Sequence, residues 1–166
     1  INTDVALIFY IARQYDRAIG QSRNVIEMDP NFGVAHFVLG LAYEQKKSYK
    51  DAIEELQQGI SASGGITVMT GALGHTYAVS GNRDKALTVL DELKGLCERR
   101  YVSPYSIAVV YIGLGEIDQA FEWLQKAYED RSVWLIHLHL KVDPRLDSLR
   151  RDPRFKALLQ KMGLEK

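Results

Sequence analysis

The chain has 166 residues, 46% apolar and 25% charged, a globular composition with material for one sizeable core and unlike that of a disordered segment. Its 21 Lys and Arg balance 21 Asp and Glu, so no overall positive field marks a nucleic-acid binder. A single cysteine, Cys97, excludes an internal disulfide framework, and no apolar run approaches the roughly eighteen residues of a membrane span.

In chain order, the first apolar run is Val5-Ala6-Leu7-Ile8-Phe9, with no initiator Met and no signal peptide before it. The sequence therefore reads as a fragment of a longer chain, and a cytoplasmic location is the expectation. Asp16 stands where the N-cap of a second helix is expected, as do Asp84 and Asp118 further on. Asp29-Pro30 reads as the next helix start, and the same pairing of a capping residue with proline returns at Ser103-Pro104, Asp143-Pro144 and Asp152-Pro153. Ser61-Ala62-Ser63-Gly64-Gly65 lacks the Lys-Ser/Thr of a phosphate loop and follows a helix, so it reads as a turn. Ser80-Gly81-Asn82 and Gly115-Glu116 are further turns. Cys97 is expected to be a small half-buried residue, next to a solvated helix end at Glu98-Arg99-Arg100. From Val133 to Leu140 the chain is apolar enough for another helix, although its alternation from Trp134 also suits a strand. A short turn at Pro144–Arg150 and a final helix at Pro153–Met162 complete the series.

Beneath these elements lies a repeat. Ala18, Ala52, Ala86 and Ala120 fall 34 residues apart, as do Tyr43, Tyr77 and Tyr111, with Phe9 in the equivalent place before them. Leu56, Leu90 and Leu124 keep the same period, and Leu39-Gly40 returns as Leu73-Gly74 and, less faithfully, as Ile107-Ala108. A glycine inside a helix costs about 1 kcal/mol relative to alanine. Close approach of a paired helix is the reason expected at Gly40 and Gly74, with Ala52 and Ala86 as the small surface opposite and the tyrosines at the seam.

These columns resemble the tetratricopeptide repeat, with Leu-Gly-x-x-Tyr followed by Ala-x-x-x-Leu, over roughly residues 1–132. Its proline column is met only by Pro30, and the first column, often Trp, holds Asn2, His36, Thr70 and Pro104. The resemblance implies an all-α, right-handed superhelical solenoid of antiparallel helix pairs, A and B. The expected organisation is one domain of four repeats, at about 1–32 (partial), 33–66, 67–100 and 101–132, closed by a carboxy-terminal cap at 133–166. In the cap, Phe155, Leu158, Leu159 and Met162 give the last helix one apolar face, as the end of a solenoid requires.

In tetratricopeptide proteins the A helices line a concave groove. Carried onto this chain, the groove positions are Leu7, Tyr10, Ile11, Phe37, Leu41, Glu44, Gln45, His75, Ala78, Val79, Tyr105, Val109 and Ile112. Some members clamp a terminal carboxylate there with Lys, Arg and Asn, types absent from these positions. The lining instead suits an apolar peptide or an amphipathic helix. Nothing points to catalysis: His36 and His75 lie apart on A helices, and His137-x-His139 has no Cys or carboxylate at ligand spacing. No enzyme, cofactor or metal is expected, and no direct contact with nucleic acid. Residues 131–166 hold nine Lys and Arg against four Asp and Glu, a local balance of +5 that a solvated face explains and an acidic partner would also suit.

The tail carries a narrower likeness. Ser103-Pro104-Tyr105, Ala120-Phe121-Glu122-Trp123-Leu124, Val142-Asp143-Pro144-Arg145-Leu146 and Arg151-Asp152-Pro153-Arg154-Phe155 are similar to carboxy-terminal repeat regions of large bacterial signalling proteins. The expected role is a protein-binding module, the partner being another protein or another domain of the parent chain. The alternative is a solenoid that self-associates into homo-oligomers through the apolar surface around Leu7 and Phe9. The helix-pair register makes one direct prediction. Ala86→Leu should overpack the seam by about 1–3 kcal/mol, so a variant melting with the parent would displace the register.

Overall fold

The A-to-B hairpins depend on one backbone conformation. Arg13, Lys47, Gly81 and Gly115 all have positive φ, at 61°, 62°, 87° and 76°. They stand 34 residues apart, one in each turn between paired helices. At the residue that follows each of them, the same hydrogen bond forms. The N–H of Gln14, Ser48, Asn82 and Glu116 donates to the carbonyl of Phe9, Tyr43, Tyr77 and Tyr111, at 2.8–3.0 Å. This is the left-handed close of a helix, and it lets the B helix start at once. Glycine takes the conformation without cost; Arg13 and Lys47 hold it against about 1–2 kcal/mol.

The computed structural model describes residues 2–132 and 139–164, without the side chains of Asn2 and His139. The helices are α1 (Asn2–Ile11), α2 (Tyr15–Met28), α3 (Gly33–Gln45), α4 (Tyr49–Ala62), α5 (Thr67–Val79) and α6 (Arg83–Cys97). They continue as α7 (Pro104–Leu114), α8 (Ile117–Glu129), the short α9 (His139–Val142), a 3-10 helix (Pro144–Leu149) and α10 (Pro153–Lys161). No strand occurs among the described residues. The helix or strand anticipated from Val133 lies, up to residue 138, outside them. The chain is an all-α solenoid in which α1 packs on α2, α3 on α4, α5 on α6 and α7 on α8, and each A helix also touches the next.

The two helix types differ as their places require. In α7 every residue from Pro104 to Ile112 is buried, because α5, α6, α8 and the 3-10 helix all pack against it. In α8 only Ala120, Phe121, Leu124 and Ala127 are buried, one stripe on an otherwise wet helix. The glycines explain how the A helices come so close. A Cβ at Gly40 would stand 2.7 Å from Leu56 Cγ and 3.1 Å from the Ala52 carbonyl, the close pairing with α4 that the sequence suggests. Gly71 and Gly113 bring α5 and α7 together: a Cβ at Gly71 would meet Ser106 O at 2.5 Å, and one at Gly113 would meet His75 O at 3.0 Å. The tyrosine column ties A helices to the preceding B helices, with Tyr43 OH accepting from Arg23, Tyr77 OH from Gln57 and Tyr111 OH from Lys94.

Several expectations need correction. Asp16, Asp84 and Asp118 are not N-caps; Gln14, Asn82 and Glu116 hold those places, without side-chain capping bonds. The aspartates lie in the first turn, where a carboxylate still favours the positive end of the helix dipole. Pro30 does not open α3, which starts at Gly33. Asp29 instead accepts from the Asn31 N–H at 3.1 Å in a turn. The other three prolines do open helices. Cys97 is exposed rather than half-buried, its thiol bonded to the Leu93 carbonyl at 3.3 Å.

Two alanine substitutions separate packing glycines from incidental ones. Gly20→Ala, with nothing within 4 Å of the new Cβ, should stabilise by about 0.5–1 kcal/mol. Gly71→Ala should destabilise, because backbone of α7 occupies the space. Denaturant titrations giving the same sign for both would refute the close α5–α7 approach.

Candidate functional site

On the concave side the expected groove residues divide sharply. Tyr10, Leu41, Tyr105 and Val109 have at most 1% of their surface exposed, and Phe37, Glu44, His75 and Ile112 are also buried. Leu7, Ile11, Gln45 and Ala78 are half-buried, and only Val79, at 37%, is exposed. Glu44, Gln45, His75, Val79 and Ile112 come together at one cavity, while Tyr10 and Tyr105 are covered by the chain itself. After α8 the polypeptide returns as α9 and the 3-10 helix, and this strap crosses the groove against α7. Leu140, Leu146 and Leu149 are fully buried along it.

Asp143 is the strap's anchor. Pro144 starts the 3-10 helix, and the Asp143 carboxylate caps it by accepting from the Arg145 N–H at 3.0 Å. The same carboxylate takes the Arg145 guanidinium, Nη2 at 2.6 Å and Nε at 3.1 Å, and accepts the hydroxyls of Tyr105 at 2.7 Å and Tyr10 at 3.2 Å. One buried carboxyl therefore joins the first A helix to the last. Outside it, Arg13 of the α1–α2 turn makes a two-pronged pair with Asp147, both bonds at 2.7 Å. Arg150 donates to the Lys141 carbonyl at 2.6 Å and to Asp147 at 2.7 Å, holding the strap's own turn closed.

The charges are settled by these partners. Burial alone would push the Asp143 carboxyl up, but the Arg145 charge and the bonds from Arg145 and Tyr105 outweigh it and hold it far below the carboxylate range. Burial, with the Asp143 charge, raises Tyr10 and Tyr105 well above 10.0, so both stay protonated donors. A second buried acid, Glu44 of α3, accepts from His75 Nδ1 at 2.9 Å and from the Thr76 hydroxyl at 2.6 Å, both on α5. Burial pushes Glu44 up too; His75 and Arg145 beside it pull it down further, and it is lowered on balance.

Next to the strap the concave face keeps an open cavity of about 320 Å³. Its walls are Glu44 and Gln45 of α3, Lys47 of the turn, Tyr49 of α4, His75 and Val79 of α5, Ile112 of α7, and Pro144, Arg145 and Ser148 of the strap. Asp143, Arg145, Lys47, Tyr49 and Ser148 were not among the expected site residues. For Asp143 and Arg145 the signal was the doubled Asp-Pro-Arg at 143–145 and 152–154, which periodicity reads only as helix starts; Lys47, Tyr49 and Ser148 carry no motif. Both copies adopt one geometry, since Asp152 likewise caps α10 and takes Arg154 Nη2 at 2.8 Å. Only tertiary placement separates them: Arg154 is solvated on α8 beside Asp118, whereas Arg145 is buried. His137 and the side chain of His139 lie outside the described parts, and among the described residues no three His, Cys, Asp or Glu cluster as metal ligands.

A tetratricopeptide repeat model matches residues 6–65, and a second matches residues 105–129. This chain belongs to the tetratricopeptide repeat family. Its repeats are of a kind that generally serves protein–protein interaction on a typically non-enzymatic helical scaffold. Among curated proteins none matches the chain closely. No described helix of this tetratricopeptide protein is long and apolar enough to cross a membrane.

Asp143 gives the solenoid a pH dependence of definite sign. Its folded-state value lies below the 3.8 of the free side chain, so its contribution is complete above about pH 5 and is lost as the pH falls through the unfolded value toward the folded one. Asp143→Asn should cost about 3 kcal/mol at pH 7, because Arg145 loses its buried partner. The gap to the parent should narrow below about pH 4 in urea titrations. A gap constant down to pH 3 would contradict the buried pair.

Proposed function

We propose that this chain is a protein-interaction module, acting as one domain, that receives a segment of a partner on the part of its concave face left open by the strap. The observation that carries this is the cavity beside the strap, which combines exposed Val79 with half-buried Gln45 and Tyr49 in a concave wall. The expected ligand, an apolar peptide or an amphipathic helix lying along the whole groove, is narrowed by this geometry. Tyr10 and Tyr105 already bond Asp143 at the head of the chain's own 3-10 helix, so a whole helix has no floor to rest on there. An extended segment passing the mouth, with one or two side chains inserted, fits the space better. The similarity of the tail to repeat regions of bacterial signalling proteins supports a partner within or alongside a larger regulator, in the cytoplasm.

Self-association is the second reading, favoured by α1. Ile8 is 61% exposed and Val5 36%, one turn apart on the same helix face. At the equivalent places of the second repeat, Leu39 and Ala42 are buried. Light scattering should then show a concentration-dependent mass that Ile8→Glu abolishes; a parent monomeric at every concentration rules this reading out.

The interaction reading is tested with two matched positions. A photo-crosslinking residue at 79 in the cavity wall should capture partner, and one at position 87 of α6 should not. Val79 and Leu87 are equally exposed, at 37% and 38%, so accessibility alone predicts equal capture. Equal yields from the two would refute the concave-face assignment.

A further inference from the structure

The first helix pair is built more weakly than the pairs after it. Leu56, Leu90 and Leu124 fill one column of the B helices, each at most 3% exposed, and Leu56 lies against Gly40 of its own pair. In the first pair that column holds Ser22, with Ala6 at the place of Gly40. Ser22 is fully buried, and its hydroxyl has no hydrogen-bond partner among the described residues. A serine there gives up the apolar contacts of leucine and leaves a desolvated donor unpaired. The turn from α1 to α2 adds strain, because Arg13, like Lys47, takes the left-handed conformation that Gly81 and Gly115 adopt freely. Beyond its packing on α3, the pair is tied to the strap at two points, Tyr10 to Asp143 and Arg13 to Asp147. Both ties can break from one side. If Tyr10 leaves, Asp143 keeps Arg145 and Tyr105; if Arg13 leaves, Asp147 keeps Arg150. Neither carboxylate is stranded, so the penalty that protects the Asp143–Arg145 pair does not protect these contacts. The strap itself stays fastened by Leu140, Leu146 and Leu149, all fully buried.

We infer that the first repeat is a gate: α1 and α2 open together from a solenoid whose strap stays seated on α7, and the strap is the latch that holds them shut. Opening takes the form of local unfolding, since two helices of ten and fourteen residues do not keep their fold apart from a stack. It uncovers the side of α3 on which α1 packs and frees one acceptor position on Asp143. The concave face thereby has two states, a closed one with the cavity beside the strap and an open one in which α3 is accessible from the α1 side. A partner that binds only the open state draws the population toward it. The inference does not depend on the interaction reading above, because opening is a property of the free chain.

The test uses two fully buried serines without hydrogen-bond partners, Ser22 on α2 and Ser106 on α7. A thiol replaces either hydroxyl with little change in size and packs as a small apolar group. Ser22→Cys and Ser106→Cys are made singly in the full chain carrying Cys97→Ser, since Cys97 is exposed, and reaction with an aromatic disulfide reagent is timed under native conditions. The Ser22→Cys thiol should react at least about tenfold faster than the Ser106→Cys thiol. Tyr10→Phe removes only the latch hydroxyl, and Arg13→Gln leaves the strap's own bonds intact. Each should speed Ser22→Cys at least about fivefold while the Ser106→Cys rate stays within about twofold. Amide hydrogen exchange of the unsubstituted chain reads the same opening without a thiol: residues 2–28 should exchange together and ahead of residues 140–149. A Ser22→Cys thiol no faster than Ser106→Cys, or strap amides exchanging first, overturns the gate. Equal acceleration of both thiols also overturns it, because the molecule then opens only as a whole. A Ser22→Cys rate unchanged by both Tyr10→Phe and Arg13→Gln overturns the strap's role as latch.

Discussion

A carboxylate buried among two tyrosine hydroxyls and a guanidinium is expensive to form and more expensive to break. Desolvation opposes both charges of the Asp143–Arg145 pair, and only the completeness of its hydrogen bonding offsets that cost. Because Tyr10 comes from the first A helix and Tyr105 from the last, this pair turns a stack of neighbours into a closed object. Repeat solenoids are ordinarily quasi-one-dimensional, each unit touching only the next. Here the strap adds a contact more than a hundred residues apart in the chain, and Arg13 with Asp147 repeats it at the surface. The open concave surface that repeats alone would present becomes a filled floor with one cavity at its side.

The close approach of α5 and α7 serves the same end. Gly71 and Gly113 let the two helices touch backbone to backbone, which brings His75 and Val79 near Ile112 and narrows the trough over which the strap lies. Gly74 contributes differently, since a Cβ there would strike side chains of Val110 and Val89, which can yield more easily than backbone. The repeat glycines therefore have two distinct physical reasons, one shared by the family pattern and one particular to this pair of helices.

How much was legible follows the range of each interaction. Helix pairing was readable because Ala52 and Gly40 act within one repeat and Tyr43 on the B helix before it, and such neighbour contacts impose a period. The αL column at 13, 47, 81 and 115 was half legible: Gly81 and Gly115 announce themselves, whereas Arg13 and Lys47 hide the same conformation behind ordinary side chains. The groove residues were assumed to be open, yet most are buried, since the cover over Tyr10 and Tyr105 comes from outside the repeat. Asp143 and Asp152 head the same tripeptide with the same local cap, yet one is a core anchor and the other a surface pair.

By itself, then, the sequence determined the all-helical solenoid and its 34-residue unit, because local packing writes a period into the chain. Only the tertiary structure decided that the tail enters the groove, that Tyr10 and Tyr105 share one carboxylate, and that Lys47, Tyr49 and Ser148 face a common cavity. These groups are brought together by the curvature of the whole stack and by a single non-repeating segment. A contact made once between distant parts of a chain leaves no period behind.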